Sequence, residues 1–151
     1  MSLNTAAKRM ILAKILRDEA LSEYLVKNRC VDDYVVARIV ELFGEQGIVS
    51  LRNFGKGYSR LYKIRLGLES NSYMHLFTFQ GKHGEYIILP YSGYCGCYTR
   101  FPLNITRRYP CYHLISFSLD LTTDSIVSFD YIAEDIESLI VDLFYESLVK
   151  E

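Results

Sequence analysis

Apolar side chains change their spacing along the chain, and the change predicts where helices give way to strands. Over residues 5–27 they recur at helical intervals, with Met10, Ile11, Leu21, Tyr24 and Leu25 near one side, which predicts one helix. Asp32 and Asp33 are suited to cap a second helix running to about Glu45, on which Val35, Val36, Ile39, Val40 and Phe43 are apolar. Gly44 and Gly47 are expected to end it.

Beyond residue 60 the period shortens from about 3.6 to 2. Tyr62, Ile64, Leu66 and Leu68 alternate with Lys63, Arg65 and Gly67, the pattern of a half-buried strand. SYMHLFTF and EYIILPY predict two further strands, joined by a QGKHG hairpin whose glycines are available for positive φ. After His113 the run LISFSLDL predicts a helix. Ile132, Ile136, Leu139, Ile140, Leu143, Phe144 and Leu148 then mark a closing amphipathic helix. Helices, an antiparallel meander and helices again make an α+β chain. No repeat, Pro-rich linker or block of like charge divides it, so residues 1–151 are read as a single domain.

Composition narrows the class. Half of the residues are hydrophobic, with only nine glycines and three prolines, which excludes a low-complexity or disordered chain. No stretch approaches the about 20 apolar residues of a membrane span, and MILAKILRDEALSEYL is amphipathic rather than a signal core. The expectation is a soluble, intracellular protein. Charge is uneven: residues 52–113 carry nine basic and two acidic side chains, whereas residues 114–151 carry one basic and nine acidic. A basic middle is either a solvated face attracted to the acidic end or a surface for an anionic partner such as DNA.

The chemistry concentrates in one place. Three of the four cysteines and one of the three histidines fall in Cys95-Gly-Cys97 and Cys111-Tyr-His113, with thirteen residues between the pairs. Three thiolates and an imidazole are a ligand complement typical of structural zinc, with all four tetrahedral positions taken. A pair separated by one residue converges on an ion only where the chain bends sharply. Gly96 removes the Cβ that would resist the bend, and Pro110 fixes the approach of the second pair. A strained disulfide is the alternative for a CxC pair, disfavoured in an intracellular chain. Cys30 is expected as a small buried apolar residue, and His75 and His83 as structural or exposed side chains. GKGYSR over residues 55–60 lacks the spacing of a phosphate-binding loop and is read as an ordinary loop. No nucleophile elbow and no base between the ligands is found, so no catalytic centre and no small-molecule substrate are expected.

CGC-x13-CYH following a hairpin and entering an apolar helix resembles the SWIM zinc finger over about residues 60–120. Tyr112 and Ser116 stand where that family commonly has lysine and alanine. A small chain that is mostly finger, with flanking helices, further resembles the SWIM-domain subunits of Shu complexes. The resemblance implies a nuclear, non-catalytic zinc protein that pairs with a RecA-like recombinase paralog. Such a complex promotes recombinase filament assembly on single-stranded DNA in homologous recombination and DNA repair. The loop between the ligand pairs would display Arg100, Arg107 and Arg108 with Phe101 and Tyr109, a composition suited to protein or single-stranded DNA contacts. The alternative function is a direct nucleic-acid-binding module that uses the basic segment 52–113.

Overall fold

The first helical stretch folds as two helices rather than one. In the computed structural model, which describes residues 3–66, 73–100 and 109–133, α1 spans Thr5–Leu16 and α2 spans Glu19–Asn28. Arg17 turns into the left-handed region at φ 53°, and the Asp18 carboxylate accepts the Leu21 N–H at 2.8 Å, capping α2. The same carboxylate accepts a 2.8 Å bond from the Arg38 guanidinium, so the break is also tied to the next helix. A capping aspartate favours a new start over continuation.

Helix α3 (Asp33–Phe43) begins after Asp32 and ends at Gly44, φ 57°, as its spacing predicts. A further helix, α4 (Glu45–Asn53), follows at once and was not expected. Gly47 lies inside α4 rather than ending α3. A Cβ there would sit 2.6 Å from the Ile39 carbonyl oxygen, so the glycine allows the two helices to approach closely. Cys30, expected in the core, is exposed in the short link between α2 and α3.

The meander forms as β1 (Ser59–Leu66), β2 (Tyr73–Gly81), β3 (Gly84–Leu89) and β4 (Tyr94–Cys95), each antiparallel to the next. A fifth strand, β5 (Val127–Ala133), lies parallel to β1, giving a mixed sheet of order β4-β3-β2-β1-β5. Ile132 therefore belongs to β5 and not to the closing helix. The other apolar positions of that helix, 136–148, lie outside the described residues. Both faces of the sheet are used, whereas the alternation at residues 62–68 predicted a half-buried strand. Phe79, Tyr86 and Ile88 face the helices, and Ile64, Leu76 and Ile87 form a separate cluster on the other side. Among the described residues no helix is long and apolar enough to cross a membrane.

Two further helices complete the described elements: α5 (Cys97–Arg100) and α6 (Tyr112–Thr122). Helix α6 runs between the sheet and the helices α1, α2 and α4. Leu114, Ile115, Phe117 and Leu119 have no exposed surface, and neither do Ser116, Ser118 and Asp120. Enclosure on every side explains why LISFSLDL has no polar face, and it obliges each polar group to find a partner inside. Ser116 Oγ donates to the Ser50 carbonyl at 2.9 Å, and Ser118 Oγ to the Leu114 carbonyl at 2.9 Å. Asp120 accepts the Gly55 N–H at 2.7 Å and the Ser59 hydroxyl at 2.6 Å, joining α6 to the turn that enters β1.

Burial pushes the Asp120 carboxyl up to about 6, against the opposing pull of the Ser59 and Gly55 hydrogen bonds. Because the folded value lies above the ordinary 3.8, the folded state favours the protonated acid. The stability this confers is complete below about pH 4 and is lost as pH rises towards 6, a change of at most about 3 kcal/mol. Asp120→Asn keeps the shape, and the Ser59 hydroxyl can reverse to accept from the new amide. We expect the gap in unfolding free energy between Asp120→Asn and wild type to move in favour of the variant between pH 4 and 6.5. Chemical denaturation across that range tests it; a gap independent of pH would show that Asp120 stays ionised.

Candidate metal centre

Each ligand pair sits where a strand or loop turns into a helix. Cys95 ends β4, opposite Ile88 in the register with β3. Gly96 follows, its N–H donating to the Ile87 carbonyl at 2.8 Å, and Cys97 opens α5. A Cβ on Gly96 would meet the Ile87 nitrogen at 3.3 Å, so the glycine serves close passage along β3 rather than an unusual φ. Cys111 is the N-cap of α6 in extended conformation (φ −71°, ψ 163°), and His113 lies in the first turn. Two interactions hold that turn. The Cys111 N–H donates to the Tyr98 hydroxyl at 3.1 Å, and the Tyr112 N–H donates to Gln46 Oε1 at 3.0 Å.

The structure brings Cys95, Cys97, Cys111 and His113 together. Their ligand atoms all lie within 4.8 Å of one another, with Cys95 Sγ 3.7 Å from His113 Nδ1. A tetrahedral ion with bonds of about 2.3 Å to sulfur and about 2.0 Å to nitrogen would set its ligand atoms roughly 3.6–3.8 Å apart. The cluster is thus sized and equipped to hold one metal ion. It is also sealed: the three cysteines have no exposed surface and His113 has 2%. The His113 ring is flanked by Tyr112, Tyr86 and Phe79, with centroids at 4.1, 4.9 and 5.4 Å.

Electrostatics fit the same reading. Burial pushes the Cys95 thiol well above its ordinary value, and the neighbouring Cys111 and Cys97 push it further. Burial acts on Cys111 in the same sense. There, hydrogen bonds from Cys95, Cys97 and His113 outweigh it and bring the thiol well below its ordinary value. One thiolate is favoured and a second is opposed, because like charges crowd a site without water. A bound metal cation would relieve that conflict. Tyr98 is raised by burial first and by the Cys111 charge second, which keeps its hydroxyl protonated beside the cluster.

The remaining residues singled out from the sequence are placed differently. Arg100 is the last residue of α5, and Phe101, Arg107 and Arg108 lie outside the described residues. Tyr109 is half-buried and tied to α1: its hydroxyl donates to the Lys14 carbonyl at 3.2 Å, and the Arg17 guanidinium lies 4.1 Å from its ring centre. His75 is half-buried in β2, and His83 is exposed in the hairpin. Gly81 is the residue the sequence pattern misjudged. It has no positive φ; instead, a Cβ there would lie 2.7 Å from His113 Nε2. Nothing near Gly81 in the sequence signals this, because the histidine it accommodates is 32 positions away in the next layer.

Compared with protein-family models, with curated proteins and with solved structures, the chain matches none. The geometry around Gly81 gives a direct check. Gly81→Ala leaves all four ligands in place but pushes the His113 ring out of line. We expect metal retention against a chelator to fall by about tenfold or more, as for other changes that misorient a ligand. Gly96→Ala, whose Cβ meets its nearest neighbour at 3.3 Å, should cost less. Equal retention in Gly81→Ala and wild type would mean that His113 does not depend on this contact.

Proposed function

We propose that the bound ion is zinc and that it is structural, making this chain a SWIM-type zinc-finger subunit without a catalytic centre. The observation that carries the reading is the closed Cys₃His cluster. Three cysteines and one histidine, from a strand end, α5 and the start of α6, point ligand atoms at one buried centre. Zinc suits this mixture of soft thiolates and imidazole, imposes no geometry of its own and undergoes no redox change. Catalytic zinc keeps a position open to water or substrate, whereas here the protein supplies four ligands and encloses them. On the order of 10–16 kcal/mol is available from such a site at neutral pH in small fingers, comparable with the stability of a whole domain.

By the same reading, and by the order of hairpin, CGC, CYH and apolar helix, the chain acts as the SWIM-domain subunit of a Shu-like complex in the nucleus. It works by protein contact with a RecA-like recombinase paralog, and through that complex it supports filament assembly on single-stranded DNA during homologous recombination. The departures from the common family pattern have local roles that leave the ligands untouched. The hydroxyl of Ser116 bonds the Ser50 carbonyl, and Tyr112 packs its ring on His113.

Metal analysis of reduced, folded protein purified without added metal should find about one zinc per chain; less than about 0.2 would overturn the assignment. Cys111→Ser should lose the metal and melt far below wild type, because a hydroxyl is a poor zinc ligand. Purification from cells should recover a RecA-like protein in stoichiometric amount, with binding that changes little with salt. Recovery of nucleic acid alone, with affinity falling steeply as salt rises, would favour direct phosphate binding by segment 52–113 instead.

A further inference from the structure

Strand β5 is unlike an ordinary parallel strand. Parallel strands are usually covered on both faces, yet every side chain from Val127 to Ile132 is exposed. The apolar ones are not marginal: Val127 is 39% exposed, Phe129 42%, Tyr131 43% and Ile132 48%. The strand is last in the sheet order, so its outer edge has no neighbour among the described residues. It is seven residues long, with no lysine, proline or glycine, and Asp130 is its one charged side chain. The opposite edge is different, since β4 has only two residues and leads into the metal ligands.

We propose that β5 pairs with β5 of a second copy of this chain, antiparallel and centred on Phe129, joining two five-stranded sheets across a two-fold axis. The strand's own sequence selects this occupant and this register. Alternation and the register with β1 put Val127, Phe129 and Tyr131 on one face, and Ser128, Asp130 and Ile132 on the other. A two-fold axis perpendicular to the sheet keeps like faces together, so residues opposite one another must share a face. Centred on Phe129, the pairs are Phe129 with Phe129, Val127 with Tyr131, Ser128 with Asp130 and Ile126 with Ile132. Aromatic meets aromatic or β-branched, apolar meets apolar, and the one carboxylate faces a hydroxyl.

Neighbouring registers are worse. Centring on Asp130 sets two carboxylates opposite one another, and centring on Ser128 or Tyr131 sets Asp130 against Ile126 or Ile132. The pairing element is held ready on its inner side. Phe129 stacks on Tyr62 with ring centres 5.5 Å apart, and the Arg60 guanidinium lies 5.9 Å from its ring centre. The backbone edge would supply hydrogen bonds and the paired side chains the register, as in other strand additions.

Cysteine cross-linking tests register as well as association, starting from Cys30→Ser because Cys30 is exposed. Directly opposite Cα atoms in an antiparallel pair are about 4.5–5.5 Å apart, within disulfide range. Under mild oxidation Phe129→Cys should form a dimer alone. Ser128→Cys and Asp130→Cys should each stay monomeric alone and cross-link when mixed. Without any added cysteine, light scattering of the metal-loaded wild type should give the mass of two chains at tens of micromolar. Phe129→Lys should weaken that association by about tenfold or more while keeping its metal. A monomer at every concentration, or cross-linking that ignores position, overturns the proposal. So does a monomer whose β5 variants lose a different protein, which would mean that another chain occupies the edge.

Discussion

Among the described residues, the main core is arranged around the enclosure of α6. A helix surrounded on all sides has no solvent to satisfy its ends or its polar side chains, so each must be answered by a neighbour. Its first turn is answered by Tyr98, Gln46 and the ligand cluster, and its last by the turn at Gly55 through Asp120. The metal ligands occupy the end of α6 where the helix dipole is positive, which favours thiolate charge at that position. Burial opposes the same charge. The site is therefore electrostatically demanding, and a bound cation would meet the demand.

Much of this was legible in the sequence wherever the signal was local. Asp32 and Gly44 bound α3 because a cap and a glycine act on their own backbone. The ligand set was legible because each pair is adjacent in sequence and its residue types have few other shared uses. The α1–α2 break was harder. Arg17 takes a left-handed conformation that a non-glycine residue rarely signals, and it is the structure that reveals Asp18 as the cap of the next helix. Strand β5 was hidden by phase: Ile132 falls out of step with the alternation of VSFDY and in step with the helical spacing that follows it.

Contacts between layers left no trace at all in the pattern. Gly47 and Gly81 are glycines for the sake of Ile39 and His113, and neither sits in a conformation that requires one. Cys30 misled for the opposite reason. Cysteine is buried so often that its type outweighed its position in a short interhelical link. Tyr109 had the composition of a contact residue, yet its hydroxyl and ring are turned to α1.

The walls of the ligand pocket come from far apart along the chain. Tyr109 reaches back 95 positions to Lys14, and Tyr112 reaches back 66 to Gln46. Pairings over such separations form late, because the entropy of closing large loops must be met before the contacts return anything. The cluster is consequently not a bead that could be cut from the sequence between residues 60 and 120 and expected to hold its shape. Its ligand atoms lie against a helix that the amino-terminal helices enclose, so a bound ion would be linked to the folding of the whole chain. Loss of the ion would then be felt as loss of the whole fold, not as the slackening of one loop.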